Sequence, residues 1–196
     1  MAHMHEKDTL HRDLKPSNIL LADRNDLSAV KIIDFGLSEK YVLLDDYSTT
    51  QGTLLYMAPE VVGNRAGKIS KSVDIWAIGI IMYQLLSGGS HPLGVTNQET
   101  IPTFKAKLKK LKESELFEHA QFMSKIAKKL LARLVQVDRT LRYTAQDALQ
   151  HPWITRQKQN RIPLNIVDQL SQVSYDKQLR RKFNLAHFLS IQKVFQ

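Results

Sequence analysis

Apolar and polar residues alternate with different periods along this chain, and the period predicts most of its elements. From Val73 to Leu86 an apolar run on helical spacing predicts a buried helix. Weaker helical periodicity predicts further helices at Thr103–Glu113, Met123–Val135 and Thr144–Leu149, the last capped by Thr144. Ile19-Leu20-Leu21 and Val30-Lys31-Ile32-Ile33 flank a polar turn at Asp23–Ser28 and read as a hairpin-like pair of short strands. Residues 1–10 read as the last turn of a helix entering a loop. Residues 34–60 are rich in Ser, Thr, Asp and Gly without sustained periodicity, which predicts a long mobile segment. His151-Pro152-Trp153 closes the patterned region. Beyond it Ile162-Pro163 marks a break, and Asn165–Phe195 predicts one or two amphipathic helices. No internal repeat or low-complexity tract is present.

Composition narrows the class. The 196 residues suffice for one domain with a core, and 43% hydrophobic with 24% charged residues fits a soluble globular protein. The longest apolar stretch is broken by Gly79 and Gln84, so no segment reaches the roughly 18 residues of a membrane span. Met1-Ala2-His3-Met4-His5 has no basic region leading into an apolar one, so no secretory signal is read. The absence of cysteine excludes disulfides, thiolate metal sites and cysteine nucleophiles, and the expected location is intracellular, cytoplasmic or nuclear. The net charge of +9 raises nucleic acid as a partner, but residues 156–196 hold eight Lys/Arg against two Asp, so the excess lies mostly in that tail. With no zinc-finger spacing and no aromatic-basic signature, no nucleic-acid partner is expected.

The chemistry is concentrated in three strings. His11-Arg12-Asp13-Leu14-Lys15-Pro16-Ser17-Asn18 puts a carboxylate, an ammonium and an amide on one short loop. Asp34-Phe35-Gly36 and Ala58-Pro59-Glu60 follow. One tripeptide arises by chance in many proteins; three motifs in this order and spacing do not. The set resembles the catalytic loop of eukaryotic protein kinases, H-R-D-L-x-x-x-N, followed by D-F-G and A-P-E. The resemblance covers about residues 1–155. It implies the C-terminal lobe of a kinase, a mainly α structure (within an α+β family fold) with a small β-hairpin near the catalytic loop and the N-terminal lobe absent. Residues 156–196 then form a basic amphipathic extension.

The resemblance also implies roles. Asp13 accepts the proton of the substrate hydroxyl, and Lys15 offers a point charge to the transferred phosphate. Asn18 and Asp34 are the hard oxygen ligands that Mg²⁺ demands, with ATP phosphates and water completing its shell. Leu20 forms the floor of the adenine pocket, backed by Ile81 and Leu85. Phe35 packs under the metal loop beside His11 and sets the direction of Asp34. Lys15, together with Thr53 in Gly52-Thr53-Leu54-Leu55-Tyr56, resembles the serine/threonine class, Thr53 bonding the catalytic Asp and Lys. Glu60 is expected to pair with Arg142 as a buried fork, and Asp74 to cap its helix and anchor the catalytic-loop backbone from below.

For regulation, Arg12 beside Asp13 implies a phosphate partner on the segment after Asp34. Thr49 is the expected site, with Ser48 and Thr50 as rivals and Asp45 and Asp46 as built-in acidic substitutes. Lys31–Ser38 and Leu85–Gly89 most resemble the calcium/calmodulin-dependent kinase group. Ser17 and Gln84, however, stand where many of those kinases carry glutamates that bind substrate arginines, so a basic consensus is not implied. In the tail, Leu179, Phe183 and Phe188 at 1-5-10 spacing with Arg180-Arg181-Lys182 resemble calmodulin targets, which makes 175–196 a candidate site for a calmodulin-like partner. The commoner alternative is a helix packed on the lobe with a solvated basic face. The Lys105–Lys112 run reads as a solvated helix face.

These 196 residues contain no Gly-x-Gly-x-x-Gly and no Val-Ala-Ile-Lys strand before His11. Residues 1–196 alone are therefore expected to bind nucleotide weakly and to transfer negligible phosphate. Apolar surface that a small lobe would cover is expected to be exposed, favouring association. A catalytically inactive kinase lobe serving as a protein-binding module has no chemical need of Asp13, Lys15, Asn18 and Asp34, and a basic nucleic-acid-binding domain is opposed by the confined charge.

Overall fold

The structure, a computed structural model, describes residues 1–21, 30–40, 53–63, 69–96, 98–111, 115–117 and 123–155. The described residues form seven short-to-medium helices and two antiparallel strand pairs, the helices being α1 (Ala2–Glu6), α2 (Pro59–Val62), α3 (Ser72–Leu86), α4 (Ile101–Lys110), α5 (Lys125–Leu134), α6 (Ala145–Gln150) and α7 (Pro152–Thr155). Strand β2 (Ile19–Leu21) pairs with β3 (Val30–Ile32), Ile19 opposite Ile32. Strand β1 (Thr9–Leu10) pairs with β4 (Glu39–Lys40). The β1–β4 pair and α2 fall within or against the stretch read as aperiodic. Two-residue strands and one-turn helices are too short to leave a period in a sequence.

Helix α3 is the axis of the domain. All but Ser72 and Gln84 of its fifteen residues are buried. A helix apolar on every side belongs in the centre of a bundle. Its neighbour α5 approaches closely because residue 79 is glycine: a Cβ there would lie 2.7 Å from Val135 Cγ2 and 2.9 Å from Leu134 Cβ. Gly79→Ala is accordingly expected to force the two helices apart and cost about 1–3 kcal/mol, read as a lower thermal unfolding midpoint. An unchanged midpoint would mean that α5 yields freely.

Helix ends follow side-chain chemistry. Thr100 and Thr103 form a capping box that starts α4 two residues before its predicted start, and Leu111 in extended conformation ends it. Ser124 accepts from Ala127 N–H at the start of α5. Thr144 caps α6 and exchanges bonds with Asp147. The tail and its predicted helices lie outside the described residues. No described helix is long and apolar enough to cross a membrane.

Candidate active site

The loop after β1 is held from beneath by Asp74 in the first turn of α3. Its carboxylate, 1% exposed, accepts the backbone N–H groups of His11 (3.0 Å) and Arg12 (2.9 Å) and the Nε2–H of His5 (3.0 Å). Asp74 therefore does not cap its own helix: its oxygens are taken by the loop, and no side chain caps the start of α3. The loop needs the clamp, because Arg12 sits at φ 71°, a left-handed conformation that non-glycine residues rarely adopt. His5 was not singled out from the sequence; a lone histidine on a short helix carries no signal of its partner.

Above this anchor the side chains gather around Asp13. Oδ1 accepts both the N–H and the Oγ1–H of Thr53, each at 3.0 Å. Oδ2 takes Lys15 Nζ at 2.5 Å, and Lys15 also reaches Thr53 Oγ1 at 3.1 Å. Burial opposes the charged form of Asp13. The donors from Lys15 and Thr53 outweigh it and hold its pKa below the ordinary carboxylate range. Asp13 is thus an ionised carboxylate throughout the neutral range.

Asn18 closes a single 3-10 turn, Pro16–Asn18. Its Nδ2 donates to Asp13 C=O at 2.8 Å, which fixes the amide and leaves Oδ1 as the end able to take a cation. The β2–β3 ladder brings Asp34 alongside, because Ile33 N–H bonds Asn18 C=O at 2.9 Å. Ile33 C=O in turn accepts from His11 Nε2 at 3.0 Å, which places that ring's proton on Nε2. Asp34, like Arg12, is left-handed (φ 64°). Two hard oxygen donors on adjacent strand ends suit Mg²⁺, which takes one or two carboxyl-type ligands and fills its octahedron with water and phosphate. Among the described residues no group of three or more His, Asp or Glu forms a self-sufficient metal cage. Asn18 and Asp34 would supply such an ion with two oxygen donors, the rest of its shell coming from outside the protein.

Phe35 lies beside His11, ring centroids 5.1 Å apart, yet it is 47% exposed and not packed under the loop. Leu20 (43%) and Ile33 (37%) are exposed with it. This apolar face adjoins Asp34, and no described element covers it. Ile81 and Leu85 are buried within the core.

Behind the site, Arg142 has no exposed side-chain surface. It forks onto Glu60 at 2.7 and 3.0 Å and also donates to Ser72 C=O (2.8 Å) and twice to Gln136 C=O (3.0 and 2.7 Å). Its guanidinium lies 5.2 Å from the Trp76 ring centroid. Thr49, Ser48, Thr50, Asp45 and Asp46 lie outside the described residues.

A further buried histidine, His91, secures the segment that carries Thr53. His91 Nε2–H donates to Leu55 C=O at 2.9 Å, and its Nδ1 accepts from Leu93 N–H at 3.1 Å. Burial lowers its pKa to about 4 from an ordinary 6.5. Protonation would also destroy the Nδ1 acceptor. Because the unfolded chain takes the proton first as pH falls, His91 stabilises the fold fully above about 6.5 and loses that contribution down to about 4. The loss is on the order of 3 kcal/mol. Equilibrium unfolding of His91→Gln should lack this share of the acid sensitivity; an identical pH profile would locate it elsewhere.

Comparison with known proteins matches residues 1–154 to the family described as protein kinase domain. The chain is 38% identical to mouse Myosin light chain kinase family member 4 over 80% of its length, 39% of that protein. It is likewise 38% identical to human Death-associated protein kinase 2 over 78% of its length, 40% of that protein. Calcium-dependent protein kinase 5 of Plasmodium berghei (strain Anka) is 35% identical over 96% of the chain, 31% of that protein. The chain thus spans about two fifths or less of the length of these curated relatives.

Proposed function

The chain belongs to the protein kinase domain family, and from that premise we propose that it is the catalytic-loop half of an ATP-dependent protein serine/threonine kinase. Residues 1–155 would form the large lobe and 156–196 a basic extension. The observation that carries this reading is the Asp13 carboxylate, held ionised between Lys15 and Thr53. Asp13 receives and aims the hydroxyl of a serine or threonine. A carboxylate below its usual pKa is a weak base, so it takes the proton late, once the oxygen has begun to bond phosphorus. Lys15 carries positive charge from the carboxylate toward the phosphoryl group in transfer. Thr53 ties the two together and fixes the height of the acceptor. Asn18 and Asp34 would hold Mg²⁺, which when bound would neutralise charge on the ATP phosphates. Arg12 meets a phosphate on Thr49, and calmodulin-like binding at 175–196 remains the minor reading of the tail beside packing on the lobe. Ser17 and Gln84 in place of acidic residues argue against selection of arginine-rich peptides.

A graft tests this reading. Residues 1–154 are placed in human Death-associated protein kinase 2 in exchange for the matching segment, so that the relative supplies the preceding half of its own kinase domain. The chimera is expected to phosphorylate serine or threonine peptides in a Mg²⁺-dependent manner, and residues 1–196 alone to show negligible transfer. A folded chimera without activity would favour the binding-module reading.

A further inference from the structure

On the surface formed by α2 and α4 a groove of about 210 Å³ is lined by Pro59 and Gly63, by Lys105, Leu108 and Lys109 of α4, and by Val137 beyond α5. Its lining is apolar at Pro59, Leu108 and Val137 and cationic at Lys105 and Lys109. Lysines in the last turn of a helix complement its dipole, which accounts for Lys107, Lys109 and Lys110. It does not account for Lys105 in the middle of α4. Helical spacing puts Lys105, Leu108 and Lys109 on one face. Lys107 is engaged elsewhere, bonding Glu99 at 2.8 Å and Gly94 C=O at 3.3 Å. Among the described residues no carboxylate pairs with Lys105 or Lys109, and α4 holds four lysines with no acidic residue.

We propose that this groove docks an acidic segment of a partner protein, one aliphatic side chain seating against Leu108 and Val137 while flanking carboxylates meet Lys105 and Lys109. Charge selects the occupant. An apolar strip between two ammonium groups rejects cationic peptides and rewards acidic ones, chiefly through association rate and specificity. Residues 156–196, with eight Lys/Arg against two Asp, have the wrong charge for this lining, so the occupant is sought in a partner. The surface is separate from the Asp13 site, so binding there requires no phosphate transfer.

Fluorescence anisotropy of the full chain with a labelled Asp/Glu-rich peptide carrying one central leucine tests the proposal. Saturable binding is expected, weakening as salt rises. It should fall about tenfold in Lys105→Glu/Lys109→Glu. A comparable loss is expected when the peptide leucine becomes serine. Lys105→Gln/Lys109→Gln, which only removes charge, should give about a threefold loss and decides the matter if the reversal variant fails to fold by circular dichroism. Unchanged affinity in the folded variants, equal binding of the serine peptide, or equally tight binding of an oligonucleotide of matched charge would each overturn it.

Discussion

Replacing Asp13 with Asn in the active chimera should lower kcat by about 10³-fold, within the range a positioned proton acceptor contributes, while changing KM for the peptide little. The asparagine is nearly isosteric and can still accept from Thr53 N–H at Oδ1. It cannot take a proton, and it removes the charge that holds Lys15 at 2.5 Å. The two parameters therefore separate. Loss of kcat alone points to a group that acts in the transition state, whereas a parallel rise in KM would point to lost ground-state binding. Because donors from Lys15 and Thr53 keep Asp13 ionised below the ordinary carboxylate range, the wild-type rate should hold from neutrality down to that range. A decline beginning near pH 6 would implicate another group. Retention of most of the activity by Asp13→Asn would remove Asp13 from the chemistry.

Arg142→Ala is expected to destabilise the domain by about 3–5 kcal/mol, because it strands the Glu60 carboxylate in a buried position. For a domain of this size that is roughly a 10 °C fall in unfolding midpoint. Ser72 C=O and Gln136 C=O lose their donors in the same step. Arg142→Ala should therefore cost more than Glu60→Gln, which keeps the shape and some of the bonds. The double variant Glu60→Gln/Arg142→Met should recover part of the loss, as replacement of both partners of a buried pair often does. Strict additivity of Glu60→Gln and Arg142→Met in that double variant, measured by denaturant unfolding, would show that the pair is not coupled.

The residues of the candidate site were legible because their chemistry is local in sequence. His11 to Asn18 form one continuous string, and the β2–β3 register that sets Asp34 beside it follows from two short apolar runs. Helix α3 was equally plain, since an apolar run of that length has few other uses. What stayed hidden depends on contacts distant in the chain. His5 and His91 are single residues whose partners, Asp74 and Leu55, lie 69 and 36 residues away. The β1–β4 pair joins segments too short to have a period. Phe35 is half-exposed because no described element packs over it, which no tripeptide encodes. The run at Lys105–Lys112 reads as a solvated face until the fold sets Pro59 and Val137 across from it.

Under the proposed function Asn18 and Asp34 grip one metal–nucleotide complex within reach of Asp13. Titration of ¹⁵N-labelled residues 1–196 with Mn²⁺ and ATP, followed by NMR, measures it on the chain itself. The Asn18 side-chain NH₂ and the Gly36 N–H should broaden together at the lowest Mn²⁺ additions, and Asp34→Ala should abolish the effect while Asp13→Asn keeps it. Broadening that spares both resonances, or that survives unchanged in Asp34→Ala, would contradict the claim.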